Sequence, residues 1–156
     1  MDMNLEQYSD MFGEEISVRA PDGDVQAWSL RASMNGHGDW RVRLSDSGDG
    51  EWEGDGCDVF DAFAVVRSKP ESRGFRFLVV GARPDCWPSS MRSQMDGGQQ
   101  VYVHYNSALQ RLIHDLADVV SRRGSLRYVF ASAPISKIGT AEEQAAFRER
   151  WKMRIL

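Results

Sequence analysis

The sequence predicts one α+β domain: an antiparallel or mixed sheet of about five strands, with helices packed mainly on one face. Three observations lead there. The chain has 156 residues and a mass of 17.6 kDa, the size of one ordinary domain. It is 42% hydrophobic and 10% aromatic, with five Trp and seven Phe, which gives it the apolar mass for a core and separates it from disordered chains. The hydrophobic period also switches along the chain. It reads as two strands, a helix, two strands, a helix, a strand and a helix, and neighbouring strands early in a chain favour antiparallel pairing.

Residues 1–20 mix apolar and acidic side chains without a sustained period, so a loosely ordered arm or short helix is expected there. Pro21-Asp22-Gly23-Asp24 is a turn, because Pro presets φ and Gly accepts positive φ. Val25, Ala27, Trp28 and Leu30 form a strand, and Asn35-Gly36-His37-Gly38-Asp39 is its hairpin loop. Trp40 to Leu44 alternates apolar and polar residues strictly, as a half-buried antiparallel strand does. Residues 45–57, rich in Gly, Ser and Asp, read as a loop.

Asp58 caps a helix with Asp61 at its third position. Val59, Phe63 and Val66 recur at helical spacing, and Pro70 marks the helix end. Phe75 to Val80 is nearly all apolar and reads as the central strand, buried on both sides. A long irregular connection from Gly81 to Gly98 and a strand from Val101 to Tyr105 follow. Ser107 opens the most regular helical pattern, with Leu109, Leu112, Ile113, Leu116, Val119 and Val120 on one face and Gly124 at the end; that face is expected to pack on Phe77 and Val79. Leu126 to Ala131 is a strand. Thr140 and Glu143 form a capping box for the last helix, whose Phe147 and Trp151 lie one turn apart on its buried side.

The formal net charge is -4, and it arises in one place. Asp46, Asp49, Glu51, Glu53, Asp55, Asp58 and Asp61 occur with no Lys or Arg among them, against 16 acids and 19 bases elsewhere. With a pI near 5.4, the chain is not expected to bind nucleic acid. Cys57 and Cys86 are its two cysteines, expected as reduced thiols rather than a disulfide framework. The acidic N-terminus has no basic-then-apolar leader, and no run approaches the roughly 18 apolar residues of a membrane span. A cytoplasmic location without membrane association is therefore expected, and no cofactor or metal is implied.

The segment Ala82 to Gly98 is the most unusual stretch. It combines two prolines, two methionines, a Trp, a Cys and a Gly pair. Trp, Arg and Met are favoured in protein interfaces, and long loops positioned by a sheet often carry function. The plainer alternative is a lid that caps the core with Trp87, Met91 and Met95. The run Arg83-x-Asp85-x-x-Pro88-Ser89-x-Met91-x-x-x-Met95-x-Gly97-Gly98, with the later Thr140-x-x-Glu143-Gln144-x-x-Phe147-x-x-x-Trp151, resembles a group of small bacterial proteins, some of them similar to the immunity proteins of polymorphic toxin systems. The resemblance covers roughly the C-terminal half. It departs from the group's pattern at Ser90, where Gly is usual, and in a less apolar strand after the glycines. It implies a cytosolic, non-enzymatic protector that binds a cognate protein toxin, and it brings no catalytic residues.

The acidic stretch suits such a partner, since a toxin with a basic active-site cleft would be attracted by complementary charge. The expected partner-binding set is Asp49, Glu51, Trp52, Glu53 and Asp55, then Arg83, Asp85, Trp87, Met91 and Met95. The acids do not follow the spacing of a calcium-binding EF-hand loop, and a strand rather than a helix precedes them. Two alternatives stand beside the immunity reading. One is a small cytosolic enzyme with residues 82–98 as its active site, Arg83, Asp85 and Cys86 as polar groups and His104 near the thiol. The other is a regulatory or structural subunit.

Overall fold

In the computed structural model, residues 4–105, 112, 113, 116 and 125–155 are described. Five strands, β1 (Ser9–Arg19), β2 (Val25–Met34), β3 (Trp40–Ser45), β4 (Glu51–Gly56) and β5 (Arg76–Phe77), form one antiparallel sheet in the order β4-β3-β2-β1-β5. The fold is α+β, and the helices lie mainly against one face of this sheet, as the alternation in β3 requires.

Residues 9–19 are a strand and not a loose arm. Ile16 and Val18 point into the core, but Glu14 occupies an inward position and the pairing register shifts between Asp10 and Phe12. Those two features hide the period of two. The inward Glu14 accepts a hydrogen bond from Tyr128 Oη at 2.8 Å, so the polar group is satisfied.

The stretch read as an acidic loop is also corrected. Residues 46–50 form a hairpin turn in which the Asp46 carboxylate accepts from the amides of Gly48 and Gly50. Glu51–Gly56 then pairs along the whole of β3. Gly54 and Gly56 are the reason it can. A Cβ at Gly54 would stand 2.6 Å from the Val66 amide nitrogen and 2.9 Å from the Ala62 carbonyl oxygen, both backbone atoms of the helix above. The glycines let a helix lie directly on an edge strand. Gly54→Ala is expected to cost about 3 kcal/mol, at the upper end for overpacking because backbone must move. A denaturation midpoint within experimental error of the parent would refute this close approach.

That helix, α1 (Val59–Ser72), starts as expected: the Asp58 carboxylate accepts from the Asp61 amide at 2.7 Å. It does not stop at Pro70, which lies within its last turn. There a proline forfeits only the single bond back to residue 66, and the helix continues for two more residues.

The apolar run 75–80 is a link rather than a central strand. Arg76 and Phe77 pair with the end of β1. The Val80 and Gly81 amides then donate to the carbonyls of Ala131 and Val129 in a second layer. Phe77, Val79 and Val80 are buried because the run bridges two sheets, while Phe75, Arg76 and Leu78 are half-buried. The second sheet has the order β6-β7-β8, from β6 (Cys86–Trp87), β7 (Gln100–Val103) and β8 (Leu126–Tyr128).

The helix α2 (Ser90–Asp96) precedes β7, and α3 (Ala141–Ile155) follows β8. The capping box of α3 is present in both directions, Thr140 Oγ1 accepting from the Glu143 amide and Glu143 Oε1 from the Thr140 amide, each at 3.1 Å. The core joins both sheets through Trp28, Leu30, Val42, Leu44, Phe63, Phe77, Val101 and Val129. Leu112, Ile113 and Leu116 are helical but 56%, 56% and 61% exposed. The expectation that they pack as core on Phe77 and Val79 is overturned: they stand exposed, and Phe77 meets Trp28 and Phe63 instead. Ser107, Leu109, Val119, Val120 and Gly124 lie outside the described residues.

Candidate functional site

The acids of β4 alternate to the outer face of the sheet, opposite the helices. There they meet arginines of β3. Arg41 lies 2.7 Å from Asp55 and 3.3 Å from Glu53, and Arg43 lies 2.6 Å from Glu53 and 3.3 Å from Glu51. The hydrogen bonds from Arg41 hold the Asp55 carboxyl below its ordinary range. Glu51, Glu53 and Asp55 are exposed yet largely neutralised by their neighbours, and Asp49 stands exposed in the turn. Trp52 is not at the centre of this acidic row. Strand alternation turns it to the opposite face, where it stacks on Trp28 with centroids 4.8 Å apart.

Residues 82–98 are ordered by three devices rather than irregular. A 3₁₀ turn at Val80–Ala82 leads to Arg83, whose guanidinium donates twice to Asp85 at 2.9 and 2.8 Å. Cys86 and Trp87 then pair with Val103 and Tyr102. Ser89 caps α2 through the Arg92 amide, and Gly97 closes it in the left-handed region at φ 69°. A side chain at Gly97 would enter the Trp40 ring, so glycine is needed there for both conformation and space.

This order separates the expected residues. Met91 and Met95, one turn apart on α2, are 67% and 75% exposed, and none of the seven α2 residues is buried. Trp87 is 4% exposed. It stacks on His104 at 3.7 Å and meets Phe147 and Trp151 of α3 edge-on. It is a wedge between β7 and α3, not the partly exposed anchor an interface requires. Arg83 and Asp85 are mostly enclosed and bound to each other.

The same packing also shifts the titration of Cys86 and His104. Burial pushes the Cys86 thiol well up, and neighbouring Asp85 adds to the shift, which disfavours the thiolate that a nucleophile needs. His104 is held below its ordinary 6.5, first by burial and also by nearby Arg148, while a contact to the Trp87 carbonyl opposes both. An unfolded imidazole takes up its proton near pH 6.5 and the folded one resists. Stability present above that pH is therefore lost as the pH falls below it. We expect thermal stability to decline from about pH 7 to about pH 5.5, and His104→Phe, which keeps the stack on Trp87, to flatten the decline. An identical pH profile in the variant would exclude His104 as its source.

A groove that the sequence did not announce runs between α1 and α3 toward the start of α2. One part, about 250 Å³, is lined by Cys57, Asp61, Ser89, Ser90, Ser93 and Arg148 among others. The next, about 260 Å³, is lined by Ala64, Ala141, Ala145, Glu149 and Lys152. Both share Phe60, Asp61 and Arg148. The spacing of Arg148 from Gln144, four residues earlier and buried, was the signal that it shares the inner side of α3.

No protein-family profile matches this sequence, and no curated protein matches it significantly. The site therefore rests on its own geometry. Among the described residues no three side chains of His, Cys, Asp or Glu converge as metal ligands, and no helix is long and apolar enough to cross a membrane.

Proposed function

We propose that this chain is a non-enzymatic binding protein of the immunity type, which neutralises a cognate protein toxin by covering its active site. The observation that carries the reading is α2. It is a helix capped at both ends whose apolar side chains, Met91 and Met95, stand in solvent while a complete core lies beneath. Exposed methionines on a fixed helix suit an interface, since Met is flexible, polarisable and enriched there. The outward Asp49 and Glu51 supply negative charge toward a basic cleft, less than their number suggests because Arg43 meets Glu51.

The reading expects the toxin domain to be encoded beside this chain. Titration calorimetry should then give a tight complex of the two. Replacing Met91 and Met95 together with Asp should change stability by no more than about 0.5 kcal/mol each and weaken binding at least about thirtyfold. Undiminished affinity in that variant would take α2 out of the interface. A complex that fails to form would sink the reading.

A further inference from the structure

The groove between α1 and α3 holds one cation that the protein leaves unpaired. Arg148 lines both of its parts. Its Nε is enclosed and has no hydrogen-bond partner. Among the described residues the guanidinium forms no ion pair and no hydrogen bond; it lies over the Trp87 ring at 5.5 Å, with His104 nearby. Arg148 as a whole is partly exposed in the groove, but an enclosed donor nitrogen is normally satisfied, because leaving it without an acceptor costs free energy.

The surrounding acids are occupied elsewhere. Asp58 caps α1, Asp61 accepts from the Cys57 amide and thiol, and Glu149 pairs with Lys152 at 3.6 Å. Ser90 and Ser93 add hydroxyl donors to the wall near Arg148. We propose that this groove is a binding site for a carboxylate, taken by Arg148 with Ser90 and Ser93 as supporting donors.

The charge of the walls selects that class of ligand. A phosphate brings nearly two negative charges beside Asp58 and Asp61, and like charges at this range repel. A carboxylate brings one, in the planar form that a guanidinium fork matches. The exposed Asp61 can accept from a donor next to the carboxylate, such as an amide N–H. A free small carboxylate and the end or side chain of a polypeptide present the same chemistry. Ser90 and Ser93 share α2 with Met91 and Met95, but the probes are small carboxylates, so the test does not depend on the docking role of that helix.

The test is nuclear magnetic resonance on the labelled full chain, following the amides of Ser90 and Ser93 and the Arg148 Nε–H. The probes are acetate, acetyl-alanyl-alanine, the C-terminal amide of that peptide, and inorganic phosphate, at matched ionic strength. We expect saturable shifts at these residues with the carboxylates. The amide should bind at least about tenfold more weakly, as losing a charged hydrogen-bond pair implies. Response to acetate at comparable concentration identifies a free carboxylate as sufficient, whereas response to the peptide acid alone places the source in a polypeptide. Arg148→Met, which keeps the stem over Trp87, should abolish the shifts. If that variant fails to fold, Ser90→Ala with Ser93→Ala should weaken the response at least about threefold. Equal binding of acid and amide, tighter binding of phosphate, or no response to either carboxylate overturns the proposal.

Discussion

Arg67→Met is expected to lower stability by about 3–5 kcal/mol, the cost of leaving one member of a buried ion pair uncompensated. Arg67 is fully buried and donates to the Glu71 carboxylate one turn on, to the Gly139 carbonyl at 3.1 Å and to Gln144 Oε1 at 2.8 Å. Glu71 also receives the first amide of α3, from Ala141, at 2.8 Å. Gln144 in turn donates to the carbonyls of Gly81, Arg83 and Cys86. One arginine thus ties α1, α3 and the turn between the two sheets. Burial pushes the Glu71 carboxyl upward while Arg67 opposes it, so removing Arg67 lets it rise further. A carboxyl raised in the fold contributes stability below its unfolded pKa and loses it as the pH rises. The deficit of Arg67→Met should therefore shrink on acidification toward about pH 5. Chemical denaturation across pH checks both points; a loss below about 1 kcal/mol, or one that does not vary with pH, would contradict them. Adding Glu71→Leu should recover part of the loss, the remainder being the Gly139 carbonyl and the Ala141 amide left without partners.

Trp87→Ala should cost about 3–5 kcal/mol, the range for removing a large aromatic side chain from a core. Its indole fills the space between His104, Phe147 and Trp151. The expected signature is an early unfolding transition, with the Trp151 environment disturbed before the five-stranded sheet melts. An anchor residue behaves in the opposite way, leaving the free protein intact and abolishing partner affinity. A Trp87→Ala protein that melts with the parent would restore Trp87 to the interface.

Much of the fold was legible because its signals are local. The alternation of Trp40 to Leu44, the capping pair Asp58 and Asp61, and the reciprocal Thr140–Glu143 box each depend on residues within a few positions of one another. Phe147 and Trp151 declared the inner side of α3 in the same way. The acidic stretch was misread because its glycines look like a loop when nothing shows the helix that needs them. β1 was missed because Glu14 stands inward for a partner 114 residues away.

The candidate site was less legible for the same reason. Met91 and Met95 could be picked by residue type, and they stand exposed. Trp87 could be picked equally well, yet it is buried, because residue type does not reveal what will cover it. The helical spacing of Leu112, Ile113 and Leu116 correctly marks one helix face and says nothing of whether the core has room for it.

Sequence alone determined the α+β class, the starts of α1 and α3, the β2–β3 hairpin and the overall charge, which follow from composition, backbone propensity and short-range hydrogen bonding. Tertiary structure alone decided that the acids of β4 are neutralised by Arg41 and Arg43, that Arg67 is the central tie, and that Arg148 stands unpaired in a groove. The first follows from the register of the β3–β4 pair; the ties from Arg67 to Gly139 and Gln144 join residues more than seventy positions apart, and only the packing of α1 against α3 brings those within a few ångströms and shapes the groove that holds Arg148.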